Sequence, residues 1–153
     1  MKFSIVAAVA ALLAAPAQAH DYRVGDLLIE HPVAGATLAT AMTAAGYLTI
    51  TNTGTTADRL LSIDAPFARS MIHATEIVND VATMSSVEAL DIPAGTTVTF
   101  APGNMHVMFM GLDGDPLEPG EEFSATLTFE TAGAVEVIFR VEDLVAQSPH
   151  DEH

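Results

Sequence analysis

The chain has 153 residues, of which 50% are hydrophobic and 16% are charged, and its formal net charge at pH 7 is −15. A chain of this length and composition predicts one folded domain with its own core and excludes an intrinsically disordered protein. The excess of acidic residues argues against nucleic acid and anionic lipid surfaces as partners. Because cysteine is absent, disulfide bonds, thiolate zinc sites and a thiol nucleophile are excluded as well.

The first nineteen residues have the features of a secretory signal peptide. Lys2 provides a basic start, Ile5 to Ala15 is an apolar run too short to span a bilayer, and Ala17-Gln18-Ala19 is a small-residue cleavage signal. We therefore predict cleavage after Ala19 and export from the cytoplasm, with an uncleaved membrane anchor as the alternative. Without this segment, which holds the only lysine, four arginines remain against twenty acidic residues, a net charge of −16.

Short runs that alternate between apolar and polar side chains follow one another along the rest of the chain, separated by turn residues. They predict strands at Leu27–Glu30, Tyr47–Thr51, Thr96–Phe100, residues 123–130 and residues 135–141. Residues 36–45 are rich in alanine and threonine and predict a loop or a short helical turn. Many short strands with frequent turns predict an all-β fold, either a β-sandwich or a small barrel.

This pattern also predicts the domain boundaries. We expect a signal peptide over residues 1–19, one folded domain over residues 20–146 and a flexible tail with histidines and acidic residues over residues 147–153. No stretch after the signal peptide reaches about 18 consecutive apolar residues, so no stable membrane insertion is expected after cleavage.

Four side chains that bind soft metals recur at defined intervals in the middle of the chain. Ten residues separate His73 from Met84. Twenty-one residues separate Met84 from His106, and Met108 follows two positions later. Imidazole nitrogen and thioether sulfur together favour a soft metal of low charge, above all Cu(I). We predict that these four residues are metal ligands.

Residues 104–111 predict the geometry of half of this site. On a strand, His106 and Met108 point to the same side, so both could bind one ion without a bend in the backbone. His73 and Met84 would then come from neighbouring strands or loops. The ten residues between them suit a hairpin.

Three further methionines each allow two interpretations. Met110 shares the predicted face of His106 but lies outside the four-residue spacing, so we interpret it as core, with a ligand role as the alternative. Met105 faces away from His106 and is interpreted as core, with a ligand role as the less favoured alternative. Met71 shares a face with His73 if that segment is extended, which leaves a ligand role open.

The spacing resembles the signature of the periplasmic copper A chaperone (PCuAC) family, which is His, ten residues, Met, twenty-one residues, His, one residue, Met. Segments 25–32, 46–54, 106–112 and 127–130 also resemble that family, and the likeness covers residues 26–141. The resemblance implies a cupredoxin-like β-sandwich or small Greek-key barrel that binds one Cu(I) at an exposed edge. It also implies transfer of copper to the dinuclear copper centre of cytochrome c oxidase, or a more general periplasmic copper supply.

Two features depart from that family. Val33-Ala34-Gly35 follows the early His-Pro pair, where an aromatic residue and an arginine are common, and Ala74 follows the first ligand histidine, where Met or Glu is common. Neither change removes a predicted ligand. Both change side chains that could contact partners in relatives.

The other histidines are interpreted separately. His20 would be the first mature residue, where its imidazole and the free amino terminus could chelate Cu(II), and a disordered terminus is the alternative. His150 and His153 in the acidic tail could add a weaker Cu(II) or Zn(II) site, with a solvated tail as the alternative. His31 precedes Pro32 at the predicted end of a strand and is interpreted as structural.

Three functions follow from these observations. The first, implied by the resemblance, is a copper carrier rather than an enzyme, whose partner is an oxidase subunit or another copper chaperone. A copper scavenging or storage protein is the alternative within this class. Its affinity should fall below about pH 6, because imidazoles must be deprotonated to bind. The second is a copper oxidoreductase with His20 in a two-histidine brace, although no other catalytic pattern accompanies it. The third is a structural β-sandwich whose methionines are only core.

Overall fold

The structure, a computed structural model, describes residues 21–144, and its secondary structure there consists of eleven strands. In chain order the strands are β1 (Tyr22–Val24), β2 (Leu27–Gly35), β3 (Thr43–Asn52), β4 (Asp58–Asp64), β5 (Arg69–Val78), β6 (Val81–Val87), β7 (Leu90–Ile92), β8 (Thr97–Thr99), β9 (Met105–Met110), β10 (Glu122–Phe129) and β11 (Gly133–Glu142). Within this part of the chain, no helix has the length and apolar character needed to cross a membrane. The predicted signal peptide, His20 and the predicted tail lie outside the described residues.

The strands form one sheet in the order β6-β5-β9-β3-β2-β11-β10-β4-β7, with β1 paired to β2 and β8 paired to β3. Neighbouring strands are antiparallel except for β11 and β2, which are parallel. The sheet closes almost completely into a barrel, which confirms the predicted all-β architecture. β6 and β7 are its two free edges.

Alternation of apolar residues directs one face of the strands into a common core. In β10 and β11, every second side chain from Ala125 to Phe129 and from Val137 to Val141 is buried. The two strands predicted from this alternation are therefore confirmed. Their core-facing residues pack against those of β2, β3 and β9, which leaves the opposite faces of the same strands partly exposed.

Two predicted boundaries were wrong. β2 does not end at His31-Pro32 but continues through it, because a bulge absorbs the dipeptide: His31 has a φ of 51°, and the pairing with β3 shifts between Glu30 and Val33. A bulge leaves residues outside the hydrogen-bonded ladder, which suits a proline without an N–H to donate. The loop predicted over residues 36–45 is also shorter than expected, since β3 already begins at Thr43.

A buried asparagine at the end of β3 joins three segments of the chain. Asn52 is 1% exposed, and its Nδ2 donates to the carbonyl oxygens of Thr56 at 2.9 Å and Ile92 at 3.1 Å. Its Oδ1 accepts a hydrogen bond from the backbone N–H of Gly54 at 3.0 Å. Because unpaired buried polar groups are costly, this side chain holds the end of β3, the following turn and β7 in one arrangement.

Replacing Asn52 should destabilise the fold. Asn52→Ala should lower the free energy of unfolding by about 1–3 kcal/mol, since it leaves the Ile92 carbonyl and the Gly54 N–H without their partner. The matched control is Thr51→Ala, which removes only an exposed hydrogen bond to Thr97 and should cost less than about 1 kcal/mol. Urea unfolding followed by circular dichroism measures both changes. An equal loss of stability in the two variants would contradict the role assigned to Asn52.

Candidate metal centre

The centre of the candidate site is the antiparallel pair formed by β5 and β9. In its register His73 lies directly opposite His106, and Met71 lies directly opposite Met108. Residues opposite each other in such a pair point to the same side of the sheet, with Cβ atoms about 4.5–5.5 Å apart. Three of the four predicted ligands therefore share one patch of the outer surface with Met71.

The buried residues that alternate with the donors along β5 and β9 show on which side of the sheet the donors lie. Ile72 of β5 is 4% exposed, and Val107 and Phe109 of β9 are 0% exposed. Because side chains alternate along a strand, the two histidines and Met108 project outward, where each is partly exposed. The hypothesis that these residues are only core required them to be deep inside the barrel, and the structure does not place them there.

The two imidazole rings are close enough to bind one ion together. The ring centroids of His73 and His106 are 5.7 Å apart, and the ring planes are inclined by 56°. With metal–nitrogen distances of about 2.0–2.1 Å, two imidazoles on one ion have centroids roughly 5–6 Å apart. The observed separation therefore fits a shared ion without movement of either strand.

His73 also has an unsatisfied ring nitrogen. Its Nδ1 atom is buried and has no hydrogen-bond partner among residues 21–144. Buried polar atoms without a partner are rare in folded proteins, and each requires an explanation. A metal ion bound at this nitrogen would supply the missing interaction, which is consistent with the donor chemistry of the site.

The pKa of His106 lies below its ordinary value of 6.5. Desolvation by burial is the larger cause, and repulsion from the nearby His73 ring is the second. Both effects disfavour the imidazolium and keep the imidazole neutral, which is the form that binds a metal. At neutral pH the site can therefore accept a cation without first releasing a proton from His106.

Met84 lies at the periphery of this patch. It belongs to the edge strand β6, where it pairs with Thr75, two residues beyond His73 on the same face, and it is 54% exposed. As a diagonal neighbour it is about 7–8 Å from His73, within reach of a long side chain. From His106 it is two strands away. The structure thus brings His73, His106 and Met108 together and leaves Met84 beside them.

The hairpin that carries His73 and Met84 has a two-residue turn. Asn79 and Asp80 connect β5 to β6, with φ values of 52° and 64°. Two successive left-handed residues are typical of the type I′ turn, which matches the twist of hairpin strands, and Asn and Asp tolerate this conformation. The hairpin predicted between the two ligands is therefore confirmed. Sequence reasoning missed Asn79-Asp80 as the signal for its turn.

The other methionines of β9 separate by face. Met105 is on the inner side and packs against the core, as predicted. Met110 shares the outer face of Met108, so the interpretation of Met110 as core was wrong. His31 is exposed on the bulge of β2, a strand that pairs with neither β5 nor β9. No three His, Asp or Glu side chains of residues 21–144 cluster as a metal site.

A glycine of β3 allows close packing beneath the site. Gly46 lies opposite Val107 of β9, and a Cβ atom at Gly46 would come within 2.7 Å of the Phe109 ring. Phe109 in turn packs edge-on against Phe123 and Phe139, with ring centroids 5.1 and 5.4 Å apart. Because residue 46 has no side chain, the Phe109 ring can pack against the backbone of β3 while β3 pairs with β9. This ring in turn anchors β9 in the core.

Comparison with known proteins places this architecture in a family. The family model described as "Putative lipoprotein LpqE-like" matches residues 27–141, most of the chain. The chain belongs to the LpqE-like family. A relative named "Putative lipoprotein Lxx21020", from Leifsonia xyli subsp. xyli (strain CTCB07), is 36% identical over 96 residues, or 61% of the LpqE-like chain. The chain spans about 57% of the length of this curated relative.

Solved structures similar to the LpqE-like chain include copper-binding proteins. The copper-bound PCuAC domain from PmoF2 is 30% identical, with a TM-score of 0.66, and the match covers 80% of this chain and 97% of that domain. The Cu(I) form of DR1885 from Deinococcus radiodurans is 28% identical, with a TM-score of 0.61 and coverage of 82% of each chain. These likenesses confirm the cupredoxin-like fold and support the resemblance to the PCuAC family. The assignment of the four ligands stays a prediction.

The lowered pKa of His106 leads to a test on the metal-free protein. NMR of the ring C–H signals should show His106 titrating below pH 6.5. His73→Gln removes the repulsion between the rings and should move the pKa of His106 upward, but only part of the way, because desolvation remains. His31→Gln changes an exposed histidine of β2 that does not contribute to this shift, so it should leave the pKa of His106 unchanged. An equal pKa of His106 in the wild type and in His73→Gln would contradict the electrostatic coupling of the pair.

Proposed function

We propose that this protein binds one Cu(I) ion as cargo and transfers it to another protein, as a carrier and not as an enzyme. The proposed ligands are His73, Met84, His106 and Met108. The observation that supports this most strongly is the pairing of two imidazoles, with ring centroids 5.7 Å apart, beside a thioether on the same face. The similarity to a copper-bound PCuAC domain and to the Cu(I) form of DR1885 supports copper as the cargo.

The donor set accounts for selectivity among metals. Thioether sulfur favours Cu(I) over Zn(II) and Cu(II), which prefer imidazole, carboxylate or thiolate ligands. All four proposed donors are neutral, so none of them compensates the charge of a divalent ion. Protons compete with the metal only at the imidazoles, so the affinity falls as the pH falls. Because the pKa of His106 is lowered, protonation of this imidazole weakens copper binding only at a more acidic pH.

The position of Met84 supports transfer by ligand exchange. Met84 lies on the edge strand β6 and is 54% exposed, so a donor atom of an acceptor protein can approach it directly. In this mechanism the acceptor's donor first replaces the sulfur of Met84, while His73 and His106 on the paired strands keep the ion in place. The copper remains Cu(I) throughout, because only ligands are exchanged.

The proposed acceptor lies outside the cytoplasm. The LpqE-like family and its Leifsonia relative are described as lipoproteins, which supports an exported, envelope-associated protein. Together with the predicted signal peptide, this favours a periplasmic location. We propose the copper centre of cytochrome c oxidase, or another copper chaperone, as the recipient.

A competition titration with a coloured Cu(I) chelator under anaerobic, reducing conditions tests the proposal. The wild type should remove one equivalent of Cu(I) from the chelator. The double variant His106→Gln/Met108→Leu should bind at least about 100-fold more weakly, which corresponds to about 1.4 kcal/mol for each tenfold step. The measurement is the ratio of the two dissociation constants.

Met105→Leu is the matched control for this titration. Met105 precedes His106 on β9 but packs on the inner side, so this variant should bind Cu(I) with wild-type affinity. A wild type that leaves the copper on the chelator would refute the proposed function. A double variant that binds as tightly as Met105→Leu would refute the proposed ligands.

A further inference from the structure

We propose that Met71 is an additional thioether ligand for Cu(I), which holds the ion when Met84 is detached. This inference rests on the proposed function, since it concerns the same cargo at the same site. Met71 is outside the four-residue spacing that the sequence presents, and only the strand register brings it to the site.

The register places Met71 beside three of the proposed ligands. Met71 lies directly opposite Met108 and two residues from His73 on the outer face of β5. Two residues along a strand correspond to about 6.8 Å. Relative to His106, Met71 is a diagonal neighbour at about 7–8 Å. Its thioether can therefore reach an ion held between the two imidazoles.

Met84 is farther from the same pair of imidazoles. It is a diagonal neighbour of His73, but from His106 it is displaced by two strand spacings across the sheet and by two residues along the strands. With strands about 4.8 Å apart, this amounts to roughly 11–12 Å between Cα atoms, against 7–8 Å for Met71 and His106. In the arrangement of this structure Met71 is thus the better placed of the two methionines, and Met84 reaches the ion only if the hairpin bends toward β9.

The surroundings of Met71 allow its side chain to move. It borders a cavity of about 230 Å³ between β4 and β5, which also touches Ser70 and Ser86. Met71 is not among the side chains packed against the core, in contrast to Met105. A flexible, unbranched thioether next to free volume can change rotamer at little cost.

The consequence for transfer is a defined exchange of ligands. When Met84 detaches before a donor of the acceptor has bound, the bond from copper to the sulfur of Met84 breaks and a bond to the sulfur of Met71 forms. No electron or proton moves in this step. The ion then remains on His73, His106, Met108 and Met71 until the acceptor supplies its donor in the place that Met84 has left.

NMR of the full chain labelled with ¹³C in the methionine methyl groups tests this proposal, with Cu(I) added anaerobically. In Met84→Leu with one equivalent of Cu(I), the methyl signal of Met71 should shift together with that of Met108, whereas the signal of Met105 should stay in place. Leu replaces Met with little change in volume, so these variants should keep the fold.

Affinities measured by chelator competition give the second readout. Met71→Leu/Met84→Leu should bind Cu(I) at least about tenfold more weakly than Met84→Leu, while Met84→Leu/Met105→Leu should match Met84→Leu. A Met84→Leu variant that binds no Cu(I) or binds it without a shift of the Met71 methyl, or equal affinities in the three Met84 variants, would overturn the role of Met71 and leave the proposed function intact. A wild type that binds no Cu(I) would overturn both.

Discussion

The whole site depends on the register between β5 and β9. Burial of Ile72, Val107 and Phe109 on the inner face fixes this register, because a slip of either strand by one residue would expose the apolar side chains of that strand and turn its donors inward. The same pairing that builds the core therefore sets the two imidazoles opposite each other on the outer face. The separation of their centroids, 5.7 Å, follows from the pairing of the strands.

The site combines a rigid half and an adaptable half. The imidazoles lie on strands that are paired on both sides and packed on the core, whereas Met84 lies on an edge strand whose residues are almost all exposed. A carrier needs both properties, since the ion must be held in transit and released to an acceptor. Burial lowers the pKa of His106, so this imidazole of the rigid half is kept neutral and ready for a cation.

Much of the fold could be predicted from the sequence where one face of a strand is buried and the other is not. The alternation in residues 123–129 and 135–141 is clear for this reason. The hairpin of β5 and β6 is different, because its outer half projects beyond the core and Ile77 and Val81 are 76% and 63% exposed. Apolar residues there carry no burial pattern. The bulge at His31 was missed because an His-Pro pair suggests the end of a strand as readily as a bulge within it.

The spacing along β9 predicted that His106 and Met108 share a face, but not where His73 and Met84 lie relative to them. Strand order and register are long-range properties, so the place of Met84 at the edge and of Met71 opposite Met108 became visible only in the fold. The most direct measurement of the central claim is a crystal structure of the Cu(I)-loaded protein with anomalous diffraction at the copper edge. The account predicts one copper peak on the outer face of β5 and β9, bonded to both His73 and His106. A single peak elsewhere, or a peak bonded to neither histidine, would contradict it.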